Sequence, residues 1–229
     1  MKPIILAVDT TDVSTASSWV AATQQHLSVM KLGLEFYLAN GSAGVETVRS
    51  CAPNLELFLD LKLHDIPNTV AGAVRAISNL KPDFLTVHAS GGPSMIESAV
   101  KSLPHGKITA VTLLTSLSEE EVAKLGISGN SQEIVIKWAK LAVDAGAKAI
   151  VASPHEVAAL RDELPSEVIL ITPGVRPKGS HIGDQARIAT PAEALSWGAN
   201  YVVVGRPITS GSSLSEIASN AEQIANSIL

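Results

Sequence analysis

The residues Asp60-Leu61-Lys62-Leu63-His64-Asp65-Ile66-Pro67-Asn68-Thr69 place two carboxylates and an ammonium within six positions. They directly follow the apolar residues Leu55, Leu57, Phe58 and Leu59. Alternate side chains of a strand share a face, so an extended segment points Asp60 and Lys62 the same way. Buried charges are costly unless paired, and packing alone rarely retains them. The pattern reads as a strand delivering ionised groups to a site, with an ammonium held between carboxylates as a proton donor. A salt-bridged strand edge is the structural alternative. Lys31, in Met30-Lys31-Leu32-Gly33, closes another apolar run and adds a second cation. Two Lys and two Asp form a neutral set whose members stabilise one another's charged forms and titrate together.

The elements that must position these groups follow one rhythm: a short aliphatic run, a loop, then apolar residues at helical spacing. Strands are predicted at Ile4–Val8, Val29–Leu32, Glu56–Leu63, Phe84–His88, Ile108–Leu114, Ala149–Ala152, Val168–Thr172 and Tyr201–Val204. Helical spacing joins Val70, Val74, Ile77 and Leu80, and Pro67 before them suits a first helical turn. It recurs at Ile134, Trp138, Leu141 and Ala145, and from Ser213 to Leu229. Alternating strands and helices imply right-handed βαβ units and a parallel sheet. Eight units in 229 residues fit a single-domain α/β fold, a (β/α)8 TIM barrel over residues 1–229. A doubly wound open sheet would carry a glycine-rich turn after its first strand, where this chain has Asp9-Thr10-Thr11-Asp12.

Barrel active sites lie at the C-terminal ends of the strands. The polar residues predicted there are Asp9, Lys31, Asp60, Lys62, His88, Thr115, Ser153 and Arg206. Asp9 suits either a helix N-cap, for which Asp12 is better placed, or an acceptor for a sugar hydroxyl. Gly205-Arg206-Pro207 follows the eighth strand, and the loop Gly174–Arg187 after the seventh holds Arg176, Lys178, Gln185 and Arg187. Loops after strands seven and eight are the usual phosphate site of barrels, where backbone N–H groups and an Arg fork suit a dianion. The longer loop has the length of a lid; a solvated basic loop is the alternative. Ser118-Glu119-Glu120-Glu121 is a capping-box pattern, so Ser118 reads first as a helix start and second as a ligand contact.

Composition narrows the function classes. A net charge of −5 and 3% aromatic content argue against a nucleic-acid surface. Cys51 is the single cysteine, which excludes an internal disulfide and fits a reducing cytoplasm. The apolar run Pro3–Val8 is too short for a signal peptide and ends at Asp9, so no targeting segment and no membrane association are expected. The six His show no metal-ligand spacing; His64 and His88, near strand ends, read as packed groups supporting the site.

Several segments together resemble the orotidine 5′-monophosphate decarboxylases. They are Ala7-Val8-Asp9, Lys31-Leu32-Gly33, the ten residues from Asp60 to Thr69, Thr115-Ser116, Pro173-Gly174-Val175-Arg176-Pro177, Asp184-Gln185 and Val204-Gly205-Arg206-Pro207. The resemblance spans essentially the whole chain. It implies a cofactor-free and metal-free decarboxylase converting orotidine 5′-monophosphate to UMP, acting as a homodimer. By position, Lys31, Asp60, Lys62 and Asp65 resemble the family's charged tetrad, with Asp65, Ile66 and Thr69 reaching into the neighbouring site. Asp9 and Lys31, and the neighbour's Thr69, are implied to bind ribose, and Thr115 and Ser118 the pyrimidine. Gln185, Gly205 and Arg206 are implied to hold phosphate, with Pro173 and Arg176 in the closing loop. A Mg²⁺-dependent sugar-phosphate decarboxylase or hexulose-phosphate synthase of the same superfamily is the nearest rival. Those enzymes resemble one another in a Glu where this chain has Lys31. A non-catalytic phosphate-binding barrel would need Arg206 and Gln185 but not the Lys/Asp set.

Overall fold

The computed structural model describes residues 2–114, 116–177 and 189–228. Among them lie strands β1 (Ile4–Val8), β2 (Val29–Gly33), β3 (Glu56–Leu63), β4 (Phe84–His88), β5 (Lys107–Val111), β6 (Ala149–Val151), β7 (Ile169–Thr172) and β8 (Tyr201–Val204). All pair in parallel and in chain order, and β8 closes on β1 through Ile4–Val202, Ile5–Val203 and Leu6–Val204. The expected (β/α)8 barrel is therefore the observed fold, and the open doubly wound sheet is excluded by closure.

The helices start where the local chemistry dictates. Asp12, not Asp9, caps helix Val13–Thr23, its carboxylate accepting the Thr15 N–H at 2.6 Å. Pro67 occupies the first turn of helix Pro67–Ile77, where its missing N–H costs nothing. Ser118 and Asn130 each form a capping box, with Glu121 and Glu133, at helices Glu119–Lys124 and Ser131–Asp144. The closing helix, Leu214–Asn226, buries Ile217, Ala221, Ile224 and Ala225.

Strand alternation builds two cores. One face of each strand packs outward against the helices, through residues such as Leu6, Leu32, Leu59 and Leu85. The other fills the barrel with Ile5, Ala7, Val29, Phe58, Phe84, Ala149, Ile171 and Val203. Asp9, Lys31 and Asp60 stand two residues beyond Ala7, Val29 and Phe58, so the inward-facing series ends in charges at the C-terminal rim. β5 is shorter than predicted, ending at Val111 instead of Leu114. Its partner β6 ends at Val151, so the ladder has no further residue to pair.

β3 departs from regular extension where it matters. It pairs with β4 at Leu59–Leu85 and again at Leu63–Val87, leaving Asp60, Leu61 and Lys62 opposite Thr86 alone. Lys62 takes a left-handed backbone, φ +49°. A non-glycine residue there costs about 1–3 kcal/mol and persists only when its surroundings fix it. The bulge turns the strand end and aims its side chains across the mouth.

Phe84 is fully buried, its ring 5.7 Å from Phe58 and 6.0 Å from Tyr201, with Lys107 Nζ 4.7 Å above it. Phe84→Ala should therefore lower unfolding stability by about 3–5 kcal/mol in urea titrations. A loss below about 1 kcal/mol, typical of surface sites, would remove this ring from the structural core.

Candidate active site

A cavity of about 340 Å³ opens at the C-terminal rim of the barrel. Its floor is apolar, made by Phe58, Val111, Val151, Ile171 and Val203 from the barrel interior. Asp9, Lys31, Asp60 and Lys62 form one wall, from the ends of β1 to β3. Leu113, Leu114 and Ala152 face them from beyond β5 and β6, and Pro173, Gly174, Arg176, Gly205 and Arg206 close the side beyond β7 and β8. The site thus has three sectors: a charged pair region, an apolar wall and an arginine-bearing rim.

Asp60 is the centre of the charged wall. Its Oδ1 accepts Lys62 Nζ at 2.8 Å and the Thr86 hydroxyl at 3.0 Å, and its Oδ2 lies 3.3 Å from Lys31 Nζ. Lys31 also approaches Asp9 Oδ1 at 3.7 Å. The Asp60 and Lys31 side chains are 14% and 12% exposed, against 38% for Lys62 and 68% for Asp9. Burial pushes the Asp60 carboxyl up, but Lys31, Lys62 and the hydrogen bonds from Lys62 and Thr86 outweigh it and hold the carboxyl below its ordinary range. Asp60 is thus ionised at neutral pH, and Lys62, the more open ammonium, faces the cavity.

Beside the cavity, the His64 and His88 rings lie 5.4 Å apart. Burial, then His64 and Lys62, lower the His88 pKa, so this ring is neutral at pH 7 and adds no third positive charge. On the far rim, Gly174 has φ +81°, a turn at which a side chain would be strained. The segment that follows is tied at its ends by the Val175–Ala189 bridge and by the Arg176 N–H to the Ala189 carbonyl at 2.9 Å.

The structure separates the sequence-predicted residues into groups. Asp9, Lys31, Asp60, Lys62, Pro173, Arg176, Gly205 and Arg206 meet at the cavity. Asp65, Ile66 and Thr69 do not: all three are exposed and none lines it. Asp65 Oδ1 accepts the Ile66 N–H at 2.7 Å, and the Ile66 side chain is 66% exposed despite being apolar. Ser118 is exposed too, and its hydroxyl serves the capping box with Glu121, which is the helix-start reading. Thr115, Lys178, Gln185 and Arg187 lie outside the described residues, as does most of the expected lid. Sequence reasoning missed Thr86 and the apolar floor. The available signal was a lone threonine in Phe84-Leu85-Thr86-Val87-His88, at the same strand parity as Phe84 and His88.

Ionised side chains converging on the C-terminal mouth of a parallel eight-stranded barrel define a (β/α)8 enzyme fold with its chemistry at the rim. Residues 2–220 match the model of the Orotidine 5'-phosphate decarboxylase / HUMPS family. An orotidine 5'-phosphate decarboxylase of Thermobifida fusca is 55% identical over 207 residues, covering 90% of this chain and 88% of its own. One from Wolbachia pipientis is 44% identical over 231 residues, covering 100% and 99%. The crystal structure of orotidine 5'-phosphate decarboxylase from Lactobacillus acidophilus superposes with a TM-score of 0.84 at 32% identity, over 99% of this chain and 100% of that one. The chain belongs to the orotidine 5'-phosphate decarboxylase / HUMPS family.

The Asp60 geometry has a signed consequence for stability. A folded carboxyl held below its ordinary value of 3.8 stabilises the fold above that pH, and the contribution is lost as pH falls through the folded value. Asp60→Asn lacks this linkage. The Tm gap between wild type and Asp60→Asn should narrow from about pH 5 to about pH 3. A gap that widens on acidification would contradict an ionised, cation-held Asp60.

Proposed function

We propose that this protein decarboxylates orotidine 5′-monophosphate to UMP and CO2 in pyrimidine biosynthesis, without a cofactor, using Lys62 as the reacting group's partner. The observation that carries the mechanism is the Lys62–Asp60–Lys31 arrangement at the cavity: a carboxylate bonded at 2.8 Å to the ammonium that faces the space and backed at 3.3 Å by a second. Whole-length relatives bearing the decarboxylase name support the choice of substrate.

In the reaction the C6–carboxylate bond breaks, CO2 leaves, and the electron pair stays on C6 as an sp² carbanion with little resonance help. Enzymes accelerate very slow reactions by up to ~10¹⁷, about 23 kcal/mol, which no single contact supplies. The Lys62 ammonium stabilises the growing charge at C6 and then gives it a proton; solvent restores the lysine. Asp60 fixes Lys62 and repels the substrate carboxylate, a stress relieved as CO2 departs. Preorganised stabilisation of the carbanion is the larger effect, with Asp60 holding the Lys62 ammonium at 2.8 Å. Asp9 and Lys31 bind ribose hydroxyls. Gly205, Arg206 and Gln185 hold the phosphate, with Pro173 and Arg176 closing over it, and Thr115, next to cavity-lining Leu114, meets the pyrimidine. Phosphate binding energy far from C6 orders the site.

A Mg²⁺-dependent reaction fits this donor set poorly. Both oxygens of Asp60 are already met by ammonium groups, and a divalent cation beside them would face two like charges. The working unit is a cytoplasmic homodimer in which Asp65, Ile66 and Thr69 enter the neighbour's site. Their exposure away from their own cavity supports this arrangement. No described helix is long and apolar enough to cross a membrane.

Loss of orotate ultraviolet absorbance, followed with EDTA present, tests the activity. Wild type should turn over orotidine 5′-monophosphate, and Lys62→Ala should fall by at least about 10³-fold if the lysine supplies both charge and proton. A flat trace from folded wild type would overturn the assignment, and a variant keeping more than a few per cent would sink the proton-donor role. Mixing inactive Lys62→Ala and Asp65→Ala proteins should restore part of the activity through hybrid dimers with one complete site. Absence of rescue despite demonstrated subunit exchange would return Asp65 to its own subunit.

A further inference from the structure

Thr86 sits in β4, fully buried, opposite the three bulged residues Asp60, Leu61 and Lys62. Its hydroxyl has two partners. The Lys62 backbone N–H reaches Thr86 Oγ1 at 2.8 Å, and Thr86 Oγ1 reaches Asp60 Oδ1 at 3.0 Å. The directions are forced. An N–H can only donate, so Oγ1 accepts from Lys62; an ionised carboxylate can only accept, so the hydroxyl proton goes to Asp60. One group therefore touches the backbone of the lysine and the carboxylate of the aspartate.

That lysine is the residue whose left-handed backbone needs outside support. The same carboxylate oxygen also receives Lys62 Nζ at 2.8 Å, so backbone, side chain and carboxylate form a closed loop through Thr86. Other contacts of Asp60, from Lys31 and Lys62, come from long and rotatable side chains. Thr86 has one side-chain torsion and stands on a regular strand paired with β5 at Thr109.

We propose that Thr86 is a positioning residue for the decarboxylation: its single hydroxyl sets the Lys62 backbone and the Asp60 carboxylate together, fixing the ammonium's offset from the reacting carbon. This rests on the Lys62 and Asp60 roles proposed above. Phosphate and ribose contacts come from other strands, so the effect of losing the hydroxyl falls on the chemical step. Thr86→Val replaces the hydroxyl by a methyl of similar volume and leaves both partners unserved; Thr86→Ser keeps the hydroxyl.

The test compares wild type, Thr86→Val, Thr86→Ser and Lys62→Ala for kcat, KM, UMP affinity and far-ultraviolet circular dichroism. Thr86→Val should lose about 10²-fold in kcat, the scale of a misplaced reacting group, with KM and UMP affinity changed by less than about threefold. Thr86→Ser should recover most of the rate. A folded Thr86→Val with wild-type kcat, a Thr86→Ser as slow as Thr86→Val, or a matched loss of kcat and UMP affinity would each overturn the proposal. If Thr86→Val does not fold, Thr86→Cys, a weak donor of similar shape, is held to the same criteria. Lys62→Ala separates the two readings. An inactive Lys62→Ala beside a fully active Thr86→Val removes only the Thr86 role, whereas an active Lys62→Ala removes the mechanism on which it rests.

Discussion

Two ammonium groups converge on one barrel mouth only with an anion between them, and Asp60 is that anion. Burial works against its charge, whereas Lys31, Lys62 and Thr86 work for it, and the second set prevails. The outcome fixes three things at once: Asp60 is ionised, Lys31 is held back at 12% exposure, and Lys62 is tethered while still open to the cavity. The arrangement resists neutralisation of the carboxylate: protonating Asp60 would leave two cations facing each other.

The barrel supplies what this carboxylate needs. Parallel closure gives every strand two buried faces, so inward residues such as Phe58, Ile171 and Val203 make an apolar floor. An apolar floor makes each charge above it count for more than it would in water. The end of β3 above it is not regular. Three β3 residues against one on β4 swing Lys62 out of the ladder, and its unpaired N–H then needs a partner inside the protein. The backbone strain at Lys62 and the hydrogen bond from its N–H to Thr86 are two aspects of the same bulge.

Most of the fold was legible because hydrophobic alternation and loop chemistry are local. Predicted strands such as Ile4–Val8, Phe84–His88 and Tyr201–Val204 coincide with the observed ones, since each is an aliphatic run between turn signals. Asp12 and Ser118 were readable as caps because a cap involves only three or four residues. The ends of β5 and β6 were not, because a strand stops where its neighbour stops, and that neighbour lies some forty residues away (Val111 against Val151). The site divides along the same line. The Lys/Asp pattern announced itself as charge after an apolar run. The bulge, the left-handed Lys62 and the role of Thr86 depend on register between β3 and β4, which no single segment encodes. The floor residues Val111, Val151 and Ile171 were individually ordinary and become a surface only when the barrel closes.

The division of the charged set between two surfaces has an electrostatic logic. Within one chain, Lys31 and Lys62 share one enclosed carboxylate, since Asp9 is mostly exposed and Asp65 lies away from the cavity. Counting Asp9 as well, the cavity lining sets two carboxylates against Lys31, Lys62, Arg176 and Arg206, an excess of positive charge. An excess of this sign draws in a phosphorylated, carboxylated substrate. On its own, it would also favour the bound carboxylate and deepen the ground state, which slows decarboxylation. Under the proposed reading, a second aspartate arriving from a neighbouring subunit corrects this: it lowers the positive excess of the cavity and opposes the substrate carboxylate, but not the carbanion stabilised by Lys62. In the same reading, Asp65 lies beside the exposed, apolar Ile66, immediately before the proline that starts a helix, so the charge and an apolar contact would enter the neighbour together. Under that reading, catalytic charge balance and subunit association depend on the same few residues.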